Sequence, residues 1–166
     1  MSSIALDDIA IRTSVEKNDF EKIVFLHADL YSKEFGYGIN FEKHVEEGLK
    51  IFYDNYNLET ERVWICEHNN KFIGIALLQD RGNSIAQLRY FLIHTDYRGI
   101  GLGKKLLELF FDFYRNKNYK SCYLWTTNEL TNAASLYKKF GFKLTEEVDS
   151  ESFGKKLKEQ RYDLIS

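Results

Sequence analysis

Proline is absent from all 166 residues, so every turn must be made by glycine, asparagine or aspartate. Cysteine occurs only at Cys66 and Cys122. Both fall inside predicted strands without metal-ligand spacing, which excludes a disulfide scaffold and a zinc module. They are expected to be reduced core residues of a cytoplasmic protein. An excess of one charge is also missing: the net charge is −2, with acids and bases interspersed. Nucleic acid as the main partner would call for a basic face and is not expected. No apolar run approaches the length that spans a membrane, so no membrane partner is expected, and the N-terminus does not read as a signal peptide. Linkers, repeats and low-complexity segments are lacking, and residues 1–166 are expected to form a single domain. What is plentiful is rings. With 11 Tyr and 13 Phe, the core and any pocket should be rich in aromatics.

The periodicity predicts the elements in order. Residues 1–7 are expected to be a loose end. Ile9 and Ile11 suggest a first strand. Asn18 or Asp19 can cap a helix with Ile23, Leu26, His27 and Leu30 on one face. An aromatic loop from Tyr31 to Gly38 follows. A second helix then carries Phe41, Val45, Leu49 and Phe52 near helical spacing. Strands are predicted over residues 63–66, 72–78 and 86–93, with turns at 68–71 and 80–83. A helix from Leu102 to Arg115 turns Leu102, Leu106, Leu109, Phe110 and Phe113 inward, and Asn116 or Asn118 can end it in a left-handed conformation. A strand over 121–126 leads to a short helix lined by Leu130, Ala133, Tyr137 and Phe140, stopped by Gly141. Closing strands are expected over 142–147 and 160–165, joined around Gly154. Strand, helix and strand over residues 88–126 require a parallel crossover, while the earlier hairpins are antiparallel. The fold class is therefore α/β, with a mixed sheet and helices on both faces.

The stretch that stands out is Arg98-Gly99-Ile100-Gly101-Leu102-Gly103-Lys104, between a predicted strand and an amphipathic helix. Alternate glycines strip side chains from the turn, so backbone N–H groups can converge at a helix N-terminus, where the helix dipole is positive. Such a turn suits a phosphate, with Arg98 and Lys104 able to add charge at either end. A tight turn without a ligand is the plain alternative. Two sharper ones fail. A P-loop needs Ser or Thr after Gly-Lys, and here Lys105 follows Lys104. The dinucleotide fingerprint G-x-G-x-x-G meets Lys104 or Leu106 where its last glycine should stand.

Arg-x-x-Gly-x-Gly resembles the pyrophosphate loop of the GCN5-related N-acetyltransferases. The resemblance continues in Ile93-His94-Thr95-Asp96-Tyr97-Arg98, although the family usually has proline at Thr95. It extends to Leu136-Tyr137-Lys138-Lys139-Phe140-Gly141-Phe142, preceded by Ala134, and it covers roughly residues 8–164. Residues 124–130 and the tail 159–164 resemble the acetyltransferase half of bacterial fusions to MarR-type DNA-binding domains. This chain starts too near its first strand to be expected to hold such a domain.

The resemblance implies a mostly antiparallel sheet of about seven strands, whose two central parallel strands splay to admit acetyl-coenzyme A. It implies no metal. Phe91, Leu92 and Ile93 would offer backbone groups to the pantetheine arm. Arg98, Gly99, Ile100, Gly101, Leu102, Gly103 and Lys104 would hold the pyrophosphate. Acetyl transfer to an amine needs a neutral amine, a hydrogen bond to the thioester carbonyl and a proton for the departing thiolate. Tyr137 matches the family's general-acid tyrosine; the alternative is a core residue. The family's cofactor-contacting asparagine would fall at Leu130, and Asn128 is the nearby substitute. Glu34 could deprotonate or attract a cationic amine, or be a solvated charge, and Tyr31, Phe35, Tyr37 and Trp125 are acceptor-pocket candidates. The implied partner is a small-molecule or peptide amine, and a homodimer is left open. The expected function is direct acetyl transfer from acetyl-coenzyme A to a primary amine of a small molecule, amino acid or peptide. The alternative is a non-catalytic acyl-coenzyme A sensor on the same fold.

Overall fold

The computed structural model describes residues 3–164. Strand β1 (Ala10–Arg12) precedes helices α1 (Asp19–Phe35) and α2 (Ile39–Asp54). Three strands follow: β2 (Arg62–His68), β3 (Lys71–Asp80) and β4 (Ile85–Ile93). Then come α3 (Leu102–Asn116), β5 (Ser121–Thr127), α4 (Thr131–Lys139), β6 (Phe142–Ser150) and β7 (Leu157–Leu164). The strands make one sheet in the order β1-β2-β3-β4-β5-β7-β6, antiparallel except for the β4–β5 pair. The mixed sheet implied by the sequence is the one observed.

Residue alternation builds the two layers. In β3, Ile75 and Leu77 join the core under α1 and α2, while Ala76 and Leu78 join the core under α3 and α4. A strand buried on both faces reads as the nearly unbroken apolar run Phe72–Leu78. Helix α3 buries Leu102, Leu106, Leu107, Phe110, Phe111, Phe113 and Tyr114, a wider stripe than expected, with Leu109 only half-buried at its margin. Asn118 takes φ +61 just past the helix, the left-handed stop anticipated for it.

Several expectations are corrected. Asn18 is the N-cap of α1, but no side chain caps it. Asp19 is instead fully buried against Arg12, with Nη2–Oδ1 2.6 Å and Nη1–Oδ2 2.8 Å, and accepts the Glu16 amide at 2.7 Å. The expected loop from Tyr31 begins only at Gly36, where φ +72 ends the helix. Tyr31 continues the inward stripe of Ile23, His27 and Leu30, so packing extends α1 to Phe35. Leu130 precedes α4 rather than lining it, and packs toward the α1–α2 core. Leu6–Asp8 form a 3-10 turn, with Leu6 packed on the core, where a loose end was expected. Residues 1 and 2 of that end, and Ile165 of the last strand, lie outside the described residues.

Candidate active site

Two irregularities open the middle of the sheet. The first is the short β4–β5 pairing. It runs through Ile85–Ser121, Ala86–Cys122 and Gln87–Tyr123 and then stops, although β4 continues to Ile93 and β5 to Thr127. The second is a bulge in β4. Its register against β3 shifts between Leu77–Arg89 and Ile75–Leu92, and Tyr90 takes φ +55. One extra residue bends a strand and flips side-chain parity beyond it. Ala86 and Leu88 face α3 before the bulge, and Phe91 and Ile93 do so after it. Arg89 and Tyr90 consequently share the α1–α2 face, the Arg89 guanidinium lying 4.8 Å from the Tyr90 ring centroid. Bending β4 from β5 leaves a cleft of about 1270 Å³.

The glycine loop forms one end of this cleft. Gly99 and Gly101 hold φ +80 and +90, and Gly101 is the N-cap of α3. The first helical bond is Lys105 N–H to Gly101 O at 3.0 Å. Among the described residues, the amides of Gly99 through Lys104 donate to no protein acceptor. That is a row of orphan donors at the positive end of a helix, suited to an anion. Gly103 also serves packing. A Cβ there would lie 3.1 Å from Leu136 Cδ2 and 3.4 Å from Phe91 Cζ, so the glycine lets α3 approach α4 and β4. Lys104 lines the cleft near Glu108, at 3.9 Å.

Arg98 is directed elsewhere. Its Nε donates to Ile93 O at 3.0 Å, and its Nη atoms grip both oxygens of Glu34 at 2.8 and 2.9 Å. Glu34 therefore ties the end of α1 to the glycine loop. Its charge is already matched by a guanidinium, which counts against a free base or a lure for a cationic amine. Ile93 O, spent on Arg98, is likewise engaged, whereas β4 has no partner strand on its β5 side beyond Gln87.

Tyr137 reaches the cleft from α4. It is 5% exposed, edge-on to Phe91 at 5.9 Å and near Phe142 and Tyr162. Burial pushes its phenol well above the ordinary tyrosine range, with Tyr31 and Tyr162 adding to the shift, so it stays protonated. Tyr31, Phe35 and Tyr37 also line the cleft and pack edge to face or tilted against one another. The Tyr37 hydroxyl is bonded to Thr127 Oγ1 at 2.7 Å. Trp125, 39% exposed, also lines the cleft, from β5.

Asn128 is not brought to the cleft. Its amide donates to Lys158 O and its Oδ1 accepts the Lys158 amide, both at 2.9 Å, so its side chain extends the β5–β7 ladder. Asn132, in the first turn of α4, lines the cleft instead. Sequence reasoning also passed over His44, Arg89 and Glu159, all on the cleft wall. The helical spacing that puts Phe41 and Val45 inward could have flagged His44. Nothing local flags Arg89, whose placement depends on the bulge. Burial, then the nearby Arg89 charge, hold the His44 imidazole below its ordinary range, so it is neutral at pH 7. Among the described residues, no group of His, Cys, Asp and Glu could hold a metal ion, and no helix is long and apolar enough to cross a membrane.

Comparison with known proteins agrees with this geometry. The model of the acetyltransferase (GNAT) family matches residues 25–142. An uncharacterized N-acetyltransferase of Escherichia coli, YjgM, is 30% identical over 112 residues, 64% of this chain and 67% of that protein. An uncharacterized N-acetyltransferase of Schizosaccharomyces pombe is 26% identical over 82% of each chain. The chain spans 48% of a third relative, probable N-acetyltransferase 14 of Xenopus tropicalis. Among solved structures, a GNAT-family acetyltransferase from Staphylococcus aureus superposes with a TM-score of 0.77 at 22% identity, over 93% of this chain and 97% of that one. One from Elizabethkingia anophelis, with acetyl-CoA bound, gives 0.63 at 19% identity over 96% and 99%. The chain belongs to the GNAT acetyltransferase family, and its activity is that of an N-acetyltransferase.

Proposed function

We propose that the protein transfers an acetyl group from acetyl-coenzyme A to a primary amine of a small molecule, amino acid or peptide, by direct attack. The observation that carries this reading is the continuity of the β4–β5 gap with the unpartnered amides at the start of α3. A diphosphate fits those amides, and an extended arm fits the open edge of β4. The Elizabethkingia relative holds acetyl-CoA. The amides of Gly99–Lys104 would bind the pyrophosphate, Lys104 adding charge. Backbone groups of Phe91 and Leu92 would guide the arm. The ring of Phe91, packed against Gly103 and Tyr137, would help to exclude water from the reacting end. The chemistry supplied by the co-substrate is an activated thioester carbonyl.

The amine must lose a proton and the sulfur must gain one. The Tyr137 phenol, kept protonated by burial, would donate to the departing sulfur. His44, neutral at pH 7, and Glu159, whose carboxylate makes no hydrogen bond among the described residues, are the groups that would take the amine's proton, directly or through water. Likeness in residues 124–130 and 159–164 supports nearness to the MarR-fused branch.

The test is thiol release from acetyl-coenzyme A against a panel of amines, with thermal stabilisation by acetyl-coenzyme A measured alongside. Turnover with at least one amine is expected. Stabilisation without turnover across the panel would reduce the protein to an acyl-coenzyme A sensor.

A further inference from the structure

We infer that the acceptor amine carries a carboxylate and that Arg89 binds it. This rests on the acetyltransferase reading and adds the class of acceptor.

Arg12, Arg98, Arg115 and Arg161 each hold a carboxylate. Arg89 holds none among the described residues. Its Nη1 donates to the neutral Gln79 Oε1 at 2.9 Å, and its guanidinium lies against the Tyr90 ring. Burial lowers its proton affinity and Arg81 lowers it further; the phenols of Tyr90 and Tyr123 oppose them, and no carboxylate does. A half-buried cation without a counter-charge costs stability unless something else gains from it. Arg81, whose Nε donates to the Tyr123 hydroxyl at 3.1 Å, adds a second cation on the same cleft without an ion pair among the described residues.

The protein makes room for this arrangement at a cost. Gly48 lies in the interior of α2, where glycine is less favourable than alanine. A Cβ at that position would fall 2.9 Å from Arg89 Nη2 and 2.5 Å from the Tyr90 hydroxyl. The glycine thus admits the side-by-side pair that the β4 bulge creates. The Tyr90 hydroxyl is itself buried without a partner among the described residues, a further donor lacking an acceptor beside the guanidinium.

The position separates this cation from the cofactor. At about 3.3 Å per residue, Arg89 is roughly 13 Å along β4 from the Ile93 end that leads to the glycine loop. It faces α1 and α2, whereas Phe91 and Tyr137 face the α3–α4 core. A planar guanidinium pairs a carboxylate through two parallel hydrogen bonds. Glu159, on the same cleft, can draw the ammonium end of the same molecule before its proton is removed.

The deciding experiment compares matched acceptors in the thiol-release assay: amino acids, their amides, their decarboxylated amines, and aminoalkyl phosphates. Wild-type protein should favour carboxylates in kcat/KM by at least about 10-fold, the low end for a charge-assisted hydrogen bond. Arg89→Gln should bring that ratio close to one, mainly by raising KM for the amino acid, and Arg89→Lys should keep part of it. Stabilisation by acetyl-coenzyme A, intact in each variant, certifies fold and cofactor site. Equal turnover of amides and amino acids by wild type overturns the inference and leaves the acetyltransferase reading standing, as does a preference for phosphates. A preference that survives Arg89→Gln removes Arg89 from it. Absence of any turnover overturns both readings together. Should Arg89→Gln fail to fold, the wild-type ratios still decide the acceptor class.

Discussion

At the scale of single residues, the proton-handling groups decide what can be tested. Tyr137 stands in the cleft with its phenol pushed up by burial. A phenol that meets the sulfur only as thiolate develops stabilises the transition state more than the ground state. Tyr137→Phe keeps the ring contacts with Phe91 and Phe142, so acetyl-coenzyme A should still stabilise the protein. We expect kcat to fall by roughly 10²-fold and KM to change little. A near-normal kcat would return Tyr137 to the core, with solvent as proton source. His27 provides a second test, of stability. It is buried, its Nδ1 lies 2.9 Å from Ile23 O, and burial lowers its pKa to about 4 from 6.5. Below pH 6.5 the unfolded chain takes up a proton that the folded chain refuses. Stability should therefore fall between about pH 6.5 and 4, by up to about 3 kcal/mol from this group. Urea titrations of wild type and His27→Gln across that range should differ in slope; parallel curves would place the acid sensitivity elsewhere.

At the scale of elements, the start of α3 is the part most fully legible in the sequence. Three alternate glycines after an apolar run foretold the turn, and the orphan amides are its direct consequence. Gly101→Asp should abolish stabilisation by acetyl-coenzyme A, since it sets a carboxylate at the anion site. Aspartate tolerates a left-handed φ better than most residues, so the variant should fold, and circular dichroism can check this. An undiminished thermal shift would move the pyrophosphate away from the loop. The apolar run of β3 and the stripe of α3 were also legible, because period and burial agree there. The β4 bulge was not. Arg89-Tyr90-Phe91 contains no glycine to announce a positive φ, and the extra residue is defined only by its partners on β3. With the bulge hidden, the acceptor face was hidden too, since parity before and after it differs. The Arg98–Glu34 pair and the Asn128–Lys158 pairing join residues distant in sequence, and local pattern does not report such contacts.

At the scale of the molecule, the sheet is two antiparallel blocks, β1–β4 and β5–β7–β6, joined by three residue pairs of parallel ladder. The outer strand β6 is largely exposed but carries Lys143, Glu146 and Glu147, charges that discourage edge pairing. The weak line of the sheet is thus internal, where β4 and β5 part. Contacts outside the ladder also hold the cleft's rim. Lys155 Nζ donates to Phe35 O and Glu129 Oε2, both at 2.8 Å, tying the β6–β7 connection to α1 and to the turn before α4. A ligand lying in the gap would pair with the open β4 edge and brace one block against the other. At 100 times its Kd such a ligand stabilises the folded state by about 2.7 kcal/mol. Hydrogen exchange can show where that stabilisation is felt. Without ligand, amides on the open side of β4 between Leu88 and Ile93, and those of Gly99–Lys104, should exchange faster than amides within the β2–β3 ladder. Saturating acetyl-coenzyme A should slow both sets and leave the β2–β3 ladder almost unchanged. Protection of the glycine loop alone would mean that the arm does not enter the gap. Protection spread evenly over the sheet would mean that the ligand acts only through global stability, and that the parted strands are not its seat.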